Sequence, residues 1–425
     1  MRPLQVAVLD EELPFPPTSG KRIRTWNLLK RMAERHRVTL ICHRNGDAAE
    51  SDRAETEFRR LGIETVVVDR SVQRKAGPGF YARLAGNLLS SLPYSVESHS
   101  SRDLARAVRR LEKDRRFDCW HCEWTPYAEV LRVGLGKRLP RVPWVVMAHN
   151  VESQIWQRYT DTEPNPVKKW YTRQQWVKFE SFEQWTYSNA TRVVAVSDAD
   201  ARLIADRFGI DEVDVVDNGV DVDYFTPQRD VERDAKKLLF LGSLDWRPNL
   251  DAVRTLLEIL LPKVQAAVPG VTANIVGRNP PGWLKQKVAA TTGVKLYPDV
   301  PDVRPFLHSC GVMVIPLRVG GGSRLKILEA LATATPVVSS RVGAEGLHLV
   351  PGRHLAVCTE FSDLAPAVID AVRRPEEARD AAEEGRRTVT KRYDWDSLAE
   401  RLDETWRAAA NERIPAAVEE GGGDF

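Results

Sequence analysis

Short apolar runs alternate with longer amphipathic stretches along the whole chain. The runs are rich in β-branched residues and are mostly bounded by Gly, Pro or Asn, which is typical of buried parallel strands. In the first half they cover 4–9, 38–43, 65–69, 144–149 and 192–197, and in the second half 237–242, 272–277, 294–297, 312–316, 336–340 and 355–358. This alternation predicts βαβ units and parallel sheets.

Amphipathic helices are predicted between these strands. Residues 21–35 place Ile23, Trp26, Leu28 and Leu29 on one side of a helix, with basic residues between them. Residues 325–333 repeat the same spacing directly after a glycine-rich loop.

The strand pattern restarts after a polar connector, so the chain is predicted to be an α/β protein of two tandem doubly wound, Rossmann-like domains facing a central cleft. At 425 residues it is too long for one compact core. The predicted segments are an N-terminal domain, a connector, a C-terminal domain, a helix packing back towards the N-terminal domain and a disordered tail: 1–215, 216–235, 236–392, 393–412 and 413–425.

Composition indicates an ordinary globular protein, with 43% hydrophobic and 28% charged residues. No apolar run approaches the ~20 residues of a spanning helix, and the first residues lack the pattern of a signal peptide. A cytoplasmic location is therefore expected. The first 200 residues hold 33 Lys and Arg against 25 Asp and Glu, and the rest hold 29 against 34, which suggests different partners for the two domains. No dense basic stripe predicts a nucleic-acid partner.

Cys119 and Cys122 flank His121 in C-W-H-C. A redox pair or half of a zinc site would have this spacing, but zinc needs four ligands and no second pair exists. A buried strand with reduced thiols is the favoured interpretation.

The most informative loop is VGGGSRLKILEALATATPVVSS, residues 319–340. Bare backbone at Gly320, Gly321 and Gly322 offers N–H groups at a helix amino end, which suits an anion. Arg324 and Lys326 add two charges that suit a diphosphate, and Glu329 one turn later could accept both hydroxyls of a ribose. The alternative is an ordinary strand-to-helix turn with a surface Arg and Lys.

Several stretches together resemble the retaining, GT-B-fold sugar transferases of glycosyltransferase family 4, over nearly the whole chain. They are GGGSRLKILEALATATPVVSSRVGAEGL (320–347), AHNVES (148–153), VVAVSDAD (193–200), NGVDVDYF (218–225), FLGSLDWRPN (240–249), VGRNPP (276–281) and VPDVRPFL (300–307). The resemblance is closest to the branch linked to exopolysaccharide and cell-surface sugar assembly. It implies a hexosyltransferase-like enzyme that moves a sugar from a nucleotide-diphosphate donor, expected to be a UDP- or GDP-sugar, to an acceptor hydroxyl with retention.

The resemblance implies that 1–215 is the acceptor-side domain and that 236–392 is the nucleotide-sugar-binding domain. It also implies residue roles in the second half. Glu329 matches the family acid that holds the nucleotide ribose, whereas Gly321 stands where many relatives have a first acid, so donor choice is expected to depend on that position. Arg324 and Lys326 are expected to neutralise the diphosphate, with Arg247 as a helper or merely a surface residue. The remaining expected donor-binding residues are Gly242, Gly277, Gly320, Gly322 and Ser323.

In the first half, the resemblance makes His149 the histidine that contacts the donor sugar near the reacting carbon. Gly20, at the amino end of the first helix, is a further expected donor contact. Glu123 and Asn150 are placed on the acceptor side, with a solvated carboxylate and a loop-shaping residue as the alternatives. Arg22 and Arg24 face either a phosphate-bearing acceptor or solvent.

No metal and no resident cofactor are predicted, and the nucleotide sugar is a co-substrate. Two Asp-x-Asp strings occur, at 198–200 and 221–223, but neither follows the strand pattern of a metal site. The first suits a helix start, where Asp is a good cap, and the second lies in the connector.

The acceptor is expected to be a small molecule, a glycan or a lipid-linked sugar. Residues 167–187 mix aromatic side chains, among them Trp170, Trp176, Phe179 and Trp185, with basic ones, which would suit contact with an anionic membrane at its inner face. The alternative is a helix packed on the first domain, with Lys and Arg stems covering it. Two other functions compete with transfer: a sugar-nucleotide epimerase or hydrolase on the same fold, and a catalytically silent scaffold in polysaccharide assembly.

Overall fold

The computed structural model describes residues 2–69, 77–228, 230–319 and 324–412. The chain divides into two compact units. The first contains Met1–Asp217 and Leu398–Phe425, and the second contains Asn218–Ser397.

The first unit is built on a parallel sheet of seven strands in the order β3-β2-β1-β4-β5-β6-β7. The strands are β1 (Gln5–Glu12), β2 (Arg37–His43), β3 (Glu64–Val68), β4 (Cys119–Cys122), β5 (Trp144–Ala148), β6 (Arg192–Ala195) and β7 (Val213–Val215). The order reverses between β1 and β4, and side chains after the carboxyl ends of these two strands meet in the site described below.

Nine helices of the described residues surround this sheet: α1 (Gly20–Ala33), α2 (Ala48–Arg60), α3 (Pro78–Asn87), α4 (Tyr94–His99), α5 (Arg102–Asp114), α6 (Tyr127–Leu135), α7 (Glu152–Thr162), α8 (Pro166–Asn189) and α9 (Asp198–Phe208). A 3₁₀ turn covers Gly136–Arg141. Buried strand residues and the apolar faces of these helices form one core, which includes the fully buried Trp120 and Trp144.

The second unit has a six-stranded parallel sheet in the order β10-β9-β8-β11-β12-β13. The strands are β8 (Asp234–Leu241), β9 (Thr272–Gly277), β10 (Val294–Pro298), β11 (Cys310–Ile315), β12 (Val337–Ser340) and β13 (Ala356–Cys358). Its strand order also reverses, between β8 and β11, so both sheets have the doubly wound topology.

The helices that begin in the second unit are α10 (Arg247–Thr255), α11 (Leu261–Ala267), α12 (Gly282–Ala289), α13 (Arg304–Ser309), α14 (Leu325–Ala332), α15 (Arg341–Ala344), α16 (Leu364–Arg373), α17 (Pro375–Arg392) and α18 (Trp395–Asn411). A π-helical turn, Leu256–Leu260, joins α10 to α11, and a 3₁₀ turn covers Phe361–Asp363. From Leu398 onwards α18 belongs to the first unit.

Every predicted apolar run overlaps a strand, with differences of a few residues at the ends, and both sheets are parallel. C-W-H-C is the buried strand β4, and the thiols of Cys119 and Cys122 are free and buried, which confirms the favoured interpretation. The short strand β7 was not predicted, because Val213–Val215 is only three residues long, contains an Asp and lies beside the polar connector. No helix in the described part of the chain is long and apolar enough to cross a membrane.

Candidate functional site

In the second unit, candidate residues collect at the carboxyl edge of the sheet, where β8 and β9 end and α14 begins. Gly277 ends β9, and a Cβ there would overlap the carbonyl oxygen of Gly242 and lie 2.8 Å from Leu244 Cγ. Glycine at 277 therefore lets the two chains after β8 and β9 lie against each other. A Cβ on Gly242 would lie 2.9 Å from both Asn249 Nδ2 and Lys326 Nζ, so this glycine makes room for the next contact.

Lys326, in the first turn of α14, reaches across the edge to α10. Its Nζ donates to Oδ1 of Asn249 over 2.9 Å, and Nδ2 of Asn249 donates to the carbonyl of Ser243 over 2.9 Å. The ammonium also lies 5.4 Å from the centre of the Phe240 ring. Asn249 is 3% exposed and fixes the position of the ammonium. No role was predicted for Asn249, because a single Asn at the start of a helix carries no recognisable signal.

Charge at this edge is only partly compensated. Burial, and to a smaller extent the charge of Arg324, lower the pKa of Lys326 to about 8, against the opposing effect of Glu329. Burial raises the pKa of Glu329 to about 7 although Lys326 lies nearby. No hydrogen bond of the Glu329 carboxylate to another described residue is present. These three side chains can therefore take up an additional anion and additional hydroxyl groups.

Arg324 is the capping residue of α14 and is 9% exposed. Its Nε donates to the carbonyl of Glu345 over 3.3 Å, and one terminal nitrogen lies 3.5 Å from the Glu345 carboxylate. Arg247 is exposed at the first position of α10. The predicted donor contacts Gly320, Gly321, Gly322 and Ser323 lie outside the described residues.

In the first unit, the equivalent edge carries a buried carboxylate beside two histidines. Glu123 follows β4 and is 3% exposed, so the alternative of a solvated loop carboxylate is wrong. Its Oε1 accepts from Thr25 Oγ1 over 3.0 Å and lies 3.4 Å from Nε2 of His149, which follows β5. Its Oε2 lies 2.8 Å from Nε2 of His121.

Burial acts to raise the pKa of Glu123, but contact with His121 and His149 holds it well below its usual value. Burial lowers the pKa of His149, against the effect of Glu123, so this imidazole is neutral at physiological pH. The pair therefore consists of a carboxylate anion and a neutral imidazole. Nδ1 of His121 in turn accepts from the indole nitrogen of Trp406 on α18 over 3.1 Å.

A second buried acid lies at the end of β1. Asp10 is 1% exposed and its Oδ1 lies 2.6 Å from Lys21 Nζ. Burial and the charge of Glu123 together raise the pKa of Asp10 to about 6, although Lys21 acts to lower it. No role was predicted for Asp10 or Lys21, because an acid near the end of a strand and a lysine in a helix are common.

Arg22 and Arg24 of α1 both have partners within the first unit. Arg24 is fully buried and donates to the carbonyls of Val216 and Asp217, over 2.8 and 2.6 Å. Arg22 pairs with Glu12 and Glu50. Neither side chain is a simple solvent-exposed cation, and Arg24 is too deeply buried for an acceptor to reach it. Arg24 was misread because a basic residue in an amphipathic helix is normally exposed.

Gly20 is the first residue of α1, and the hydroxyl of Ser19 caps this helix by accepting from the N–H of Arg22 over 3.3 Å. Asn150 is partly buried in the turn between His149 and α7. That turn is fixed by Glu183 of α8, whose carboxylate accepts from the backbone N–H groups of Glu152 and Ser153 over 2.7 and 3.1 Å. Glu183 therefore caps α7 from outside and holds the segment that carries His149.

Two family profiles match the chain. The one described as Glycosyltransferase Family 4 matches residues 19–224, and the one described as Glycosyl transferases group 1 matches residues 235–374. The chain belongs to this family of glycosyltransferases. The gap between the two matches lies within the connector. Apart from β1 and the first residue of β8, the strands of each sheet of this glycosyltransferase lie within one profile.

Among curated proteins, a glycogen synthase from Mycobacterium tuberculosis is 26% identical over 246 residues. The match covers 55% of the glycosyltransferase described here and 58% of that relative, so it spans little more than half of either chain. An uncharacterised 44.6 kDa protein in the cps region of Klebsiella pneumoniae is 20% identical over 380 residues, covering 86% of this chain and 90% of the relative.

Solved structures share the fold at low sequence identity. Anabaena HepE in complex with UDP aligns with a TM-score of 0.66 and 14% identity, over 95% of this chain and all of that one. Sucrose-phosphate synthase from Thermosynechococcus elongatus aligns with a TM-score of 0.65 and 18% identity, over 96% and 98% of the two chains. The α/β GT-B fold of two Rossmann-like domains, predicted from the sequence, is confirmed.

Proposed function

We propose that this glycosyltransferase moves a sugar from a nucleotide-diphosphate donor to an acceptor hydroxyl, with retention of anomeric configuration and without a required metal. The observation that carries the proposal is the set of three charged side chains on and beside the first turn of α14. Arg324 and Lys326 supply two cations, and Glu329 supplies a carboxylate without a described hydrogen-bond partner, at the carboxyl edge of a parallel sheet.

The largest electrostatic task in this reaction is stabilising the diphosphate as it leaves. Lys326 is held in place by Asn249 before any ligand binds, so its charge needs no reorganisation when the leaving group forms. A bound diphosphate would raise the lowered pKa of Lys326 and keep it charged. Arg324 supplies the second cation. This preformed positive charge supports the proposal that no metal is needed.

Glu329 lies one helical turn after Lys326 and is the proposed ribose ligand. Its raised pKa of about 7 reflects burial with a single nearby cation. Two hydroxyl donors from a ribose would stabilise the ionised carboxylate, which is the form that accepts both hydrogen bonds.

His149 is the proposed contact of the donor sugar near the reacting carbon, which is the role that the sequence resemblance implies. Retention is assigned to a front-face step, because Glu123 is already engaged by Thr25 and His121 and does not act as a free nucleophile. The bond from the anomeric carbon to the diphosphate oxygen breaks, and the acceptor oxygen bonds to that carbon on the same face. The acceptor proton passes to the departing phosphate oxygen.

The proposed donor is a UDP- or GDP-sugar. Of the two, the complex of Anabaena HepE with UDP favours the UDP-sugar. The proposed acceptor is a glycan or lipid-linked sugar in polysaccharide assembly, in the exopolysaccharide branch that the sequence motifs favour. A relative encoded in a cps region supports that assignment.

A panel of UDP-, GDP-, dTDP- and ADP-sugars with glycan acceptors tests the proposal. We expect nucleotide release that depends on the acceptor, a product of unchanged anomeric configuration by NMR, and full activity in EDTA. Release without an acceptor would indicate a hydrolase, interconversion of the donor sugar an epimerase, and no binding of any nucleotide a scaffold. Inverted configuration or loss of activity in EDTA would contradict the mechanism.

The double variant Arg324→Ala with Lys326→Ala tests the diphosphate site. Turnover is expected to fall by about 100-fold or more, since each charged hydrogen bond contributes roughly 1.5–3 kcal/mol. The matched control is Arg318→Ala with Lys285→Ala, two cations of the same unit whose described contacts are with Asp251 or with solvent. Unchanged turnover in the first double variant would place the diphosphate elsewhere.

The exposed start of α8 is the proposed contact with an anionic membrane. Val167 and Trp170 are 73% and 52% exposed beside exposed Lys168, Lys169 and Arg173. Gln175 and Lys178 of the same helix bond to Asn87, which places the 95% exposed Leu89 in the neighbouring segment. Apolar and cationic side chains together fit anionic lipid.

Co-sedimentation with phosphatidylglycerol vesicles tests this surface. We expect binding that salt weakens and that Trp170→Ser with Leu89→Ser reduces several-fold. Trp246→Ser, which removes a 45% exposed tryptophan of the second unit, is the control. Equal binding of all three proteins would overturn the assignment.

A further inference from the structure

We propose that Trp406 is a positioning residue for His149, acting through His121 and Glu123. The part of this proposal that concerns turnover rests on the function proposed above, whereas the part that concerns imidazole protonation does not. The four side chains come from α18, β4, the turn after β4 and the turn after β5, so tertiary structure alone brings them together.

The contact between Trp406 and His121 determines where the His121 proton lies. An indole N–H can only donate a hydrogen bond, so Nδ1 of His121, 3.1 Å away, must carry a lone pair. The imidazole is then neutral with its proton on Nε2. That N–H points at Oε2 of Glu123, 2.8 Å away, and donates to it.

The Glu123 carboxylate also influences which nitrogen of His149 carries the proton. Nε2 of His149 lies 3.4 Å from Oε1, without the geometry of a hydrogen bond. The negative charge of the carboxylate nevertheless favours a proton on this nearest nitrogen over a lone pair, because a lone pair would be repelled. The other nitrogen, Nδ1, then carries the lone pair. Neutral His149 thus presents an acceptor, which suits a hydroxyl group of the bound donor sugar.

Burial makes the indole N–H hard to replace. Trp406 and His121 are 0% and 1% exposed, so no solvent reaches the Nδ1 atom. Without the indole donor, His121 is free to move its proton to Nδ1. Its bare Nε2 would then face the Glu123 anion and repel it, and Glu123 would lose one of the contacts that fix its orientation towards His149.

A second histidine in contact with the same helix follows the same principle. Nδ1 of His36 accepts from the backbone N–H of Leu4 over 3.1 Å, so its Nε2 donates to Asp403 of α18 over 2.8 Å. Asp403 lies three residues before Trp406. Helix α18 therefore fixes the tautomers of two buried histidines of the first unit, and only the one bonded to Trp406 leads to Glu123.

The test compares Trp406→Phe with Trp395→Phe. Both remove a fully buried indole from α18, but the Trp395 nitrogen has no hydrogen-bond partner among the described residues. Imidazole ¹⁵N spectra of ¹⁵N-histidine-labelled protein report the tautomers. We expect Trp406→Phe alone to shift the His121 and His149 signals and to lower kcat by about tenfold, with a smaller change in the KM for the donor.

Each outcome decides the proposal. An unchanged His121 tautomer in Trp406→Phe overturns it. Shifted tautomers with kcat equal to that of Trp395→Phe overturn the positioning role. If the protein transfers no sugar at all, the proposed function fails while the spectra still test the tautomers. Should Trp406→Phe not fold, benzothienylalanine at 406, an isostere of tryptophan without the N–H, is expected to give the same spectral shifts.

Discussion

The Nζ of Lys326 donates to Oδ1 of Asn249 over 2.9 Å, which links the first turn of α14 to the helix after β8. Asn249 anchors its own amide by donating to the carbonyl of Ser243. A buried ammonium with one fixed neutral acceptor keeps its charge available to a ligand, whereas a carboxylate partner would neutralise it.

Replacing Asn249 with Ala should weaken donor binding. Lys326 would lose its fixed position, and the KM for the nucleotide sugar should rise by about tenfold, the effect of ~1.4 kcal/mol. Asn274→Ala is the control, because Asn274 is also buried in this unit but its amide faces Cys310. Initial rates at varied donor concentration measure both. Equal KM values for the two variants would show that Asn249 does not position Lys326.

The pKa of about 8 for Lys326 predicts how activity depends on pH. The free enzyme loses this charge as pH rises through 8, so kcat/KM with limiting donor should fall about tenfold per pH unit above that value. Lys326→Arg should move the fall to higher pH, because a guanidinium stays charged. Superimposable profiles of the two proteins would assign the titration to another group.

Glu183 predicts a pH dependence of stability. Burial raises its pKa to about 7, although the N–H groups of Ser153 and Glu152 act to lower it. The pKa of Glu183 is higher in the folded protein than in the unfolded chain. Its contribution to the free energy of unfolding is therefore complete below about pH 4.5 and is lost as the pH rises to about 7. The loss is on the order of 3 kcal/mol.

Glu183→Gln, which is neutral like the protonated carboxyl, should change the melting temperature little at pH 5 and flatten its decline between pH 5 and pH 8. Glu180→Gln, on the same helix and only partly buried, serves as the reference. Thermal unfolding followed by circular dichroism at each pH gives the comparison, and a decline as steep in Glu183→Gln as in the wild type would rule out this residue as the cause.

Gly277→Ala should destabilise the second unit by about 1–3 kcal/mol or more, because its Cβ would overlap the backbone of Gly242. Gly282→Ala has no heavy atom within 4 Å of the added Cβ and should change stability by less than about 1 kcal/mol. Urea unfolding measures the difference. Similar midpoints would mean that the segments after β8 and β9 separate without cost.

Periodicity alone determined the architecture of this protein. Runs such as 144–149 and 272–277 are short and apolar and are bounded by Pro or Gly, which favours buried strands over helices, and their alternation with amphipathic helices predicts parallel sheets. Local chemistry also singled out Lys326 and Glu329, since a helix start after a glycine-rich loop is recognisable from neighbouring residues. The sequence motifs then indicated His149.

Only the tertiary structure decided which side chains support these residues. Asn249 lies 77 positions from Lys326, and Trp406 lies 285 positions from His121. Nothing in the spacing of such distant residues relates them, because their contact depends on strand order and on the path of α18. Arg24 is the clearest case: an apparently exposed cation in an amphipathic helix is buried, because the backbone carbonyls of Val216 and Asp217 converge on it in the folded unit.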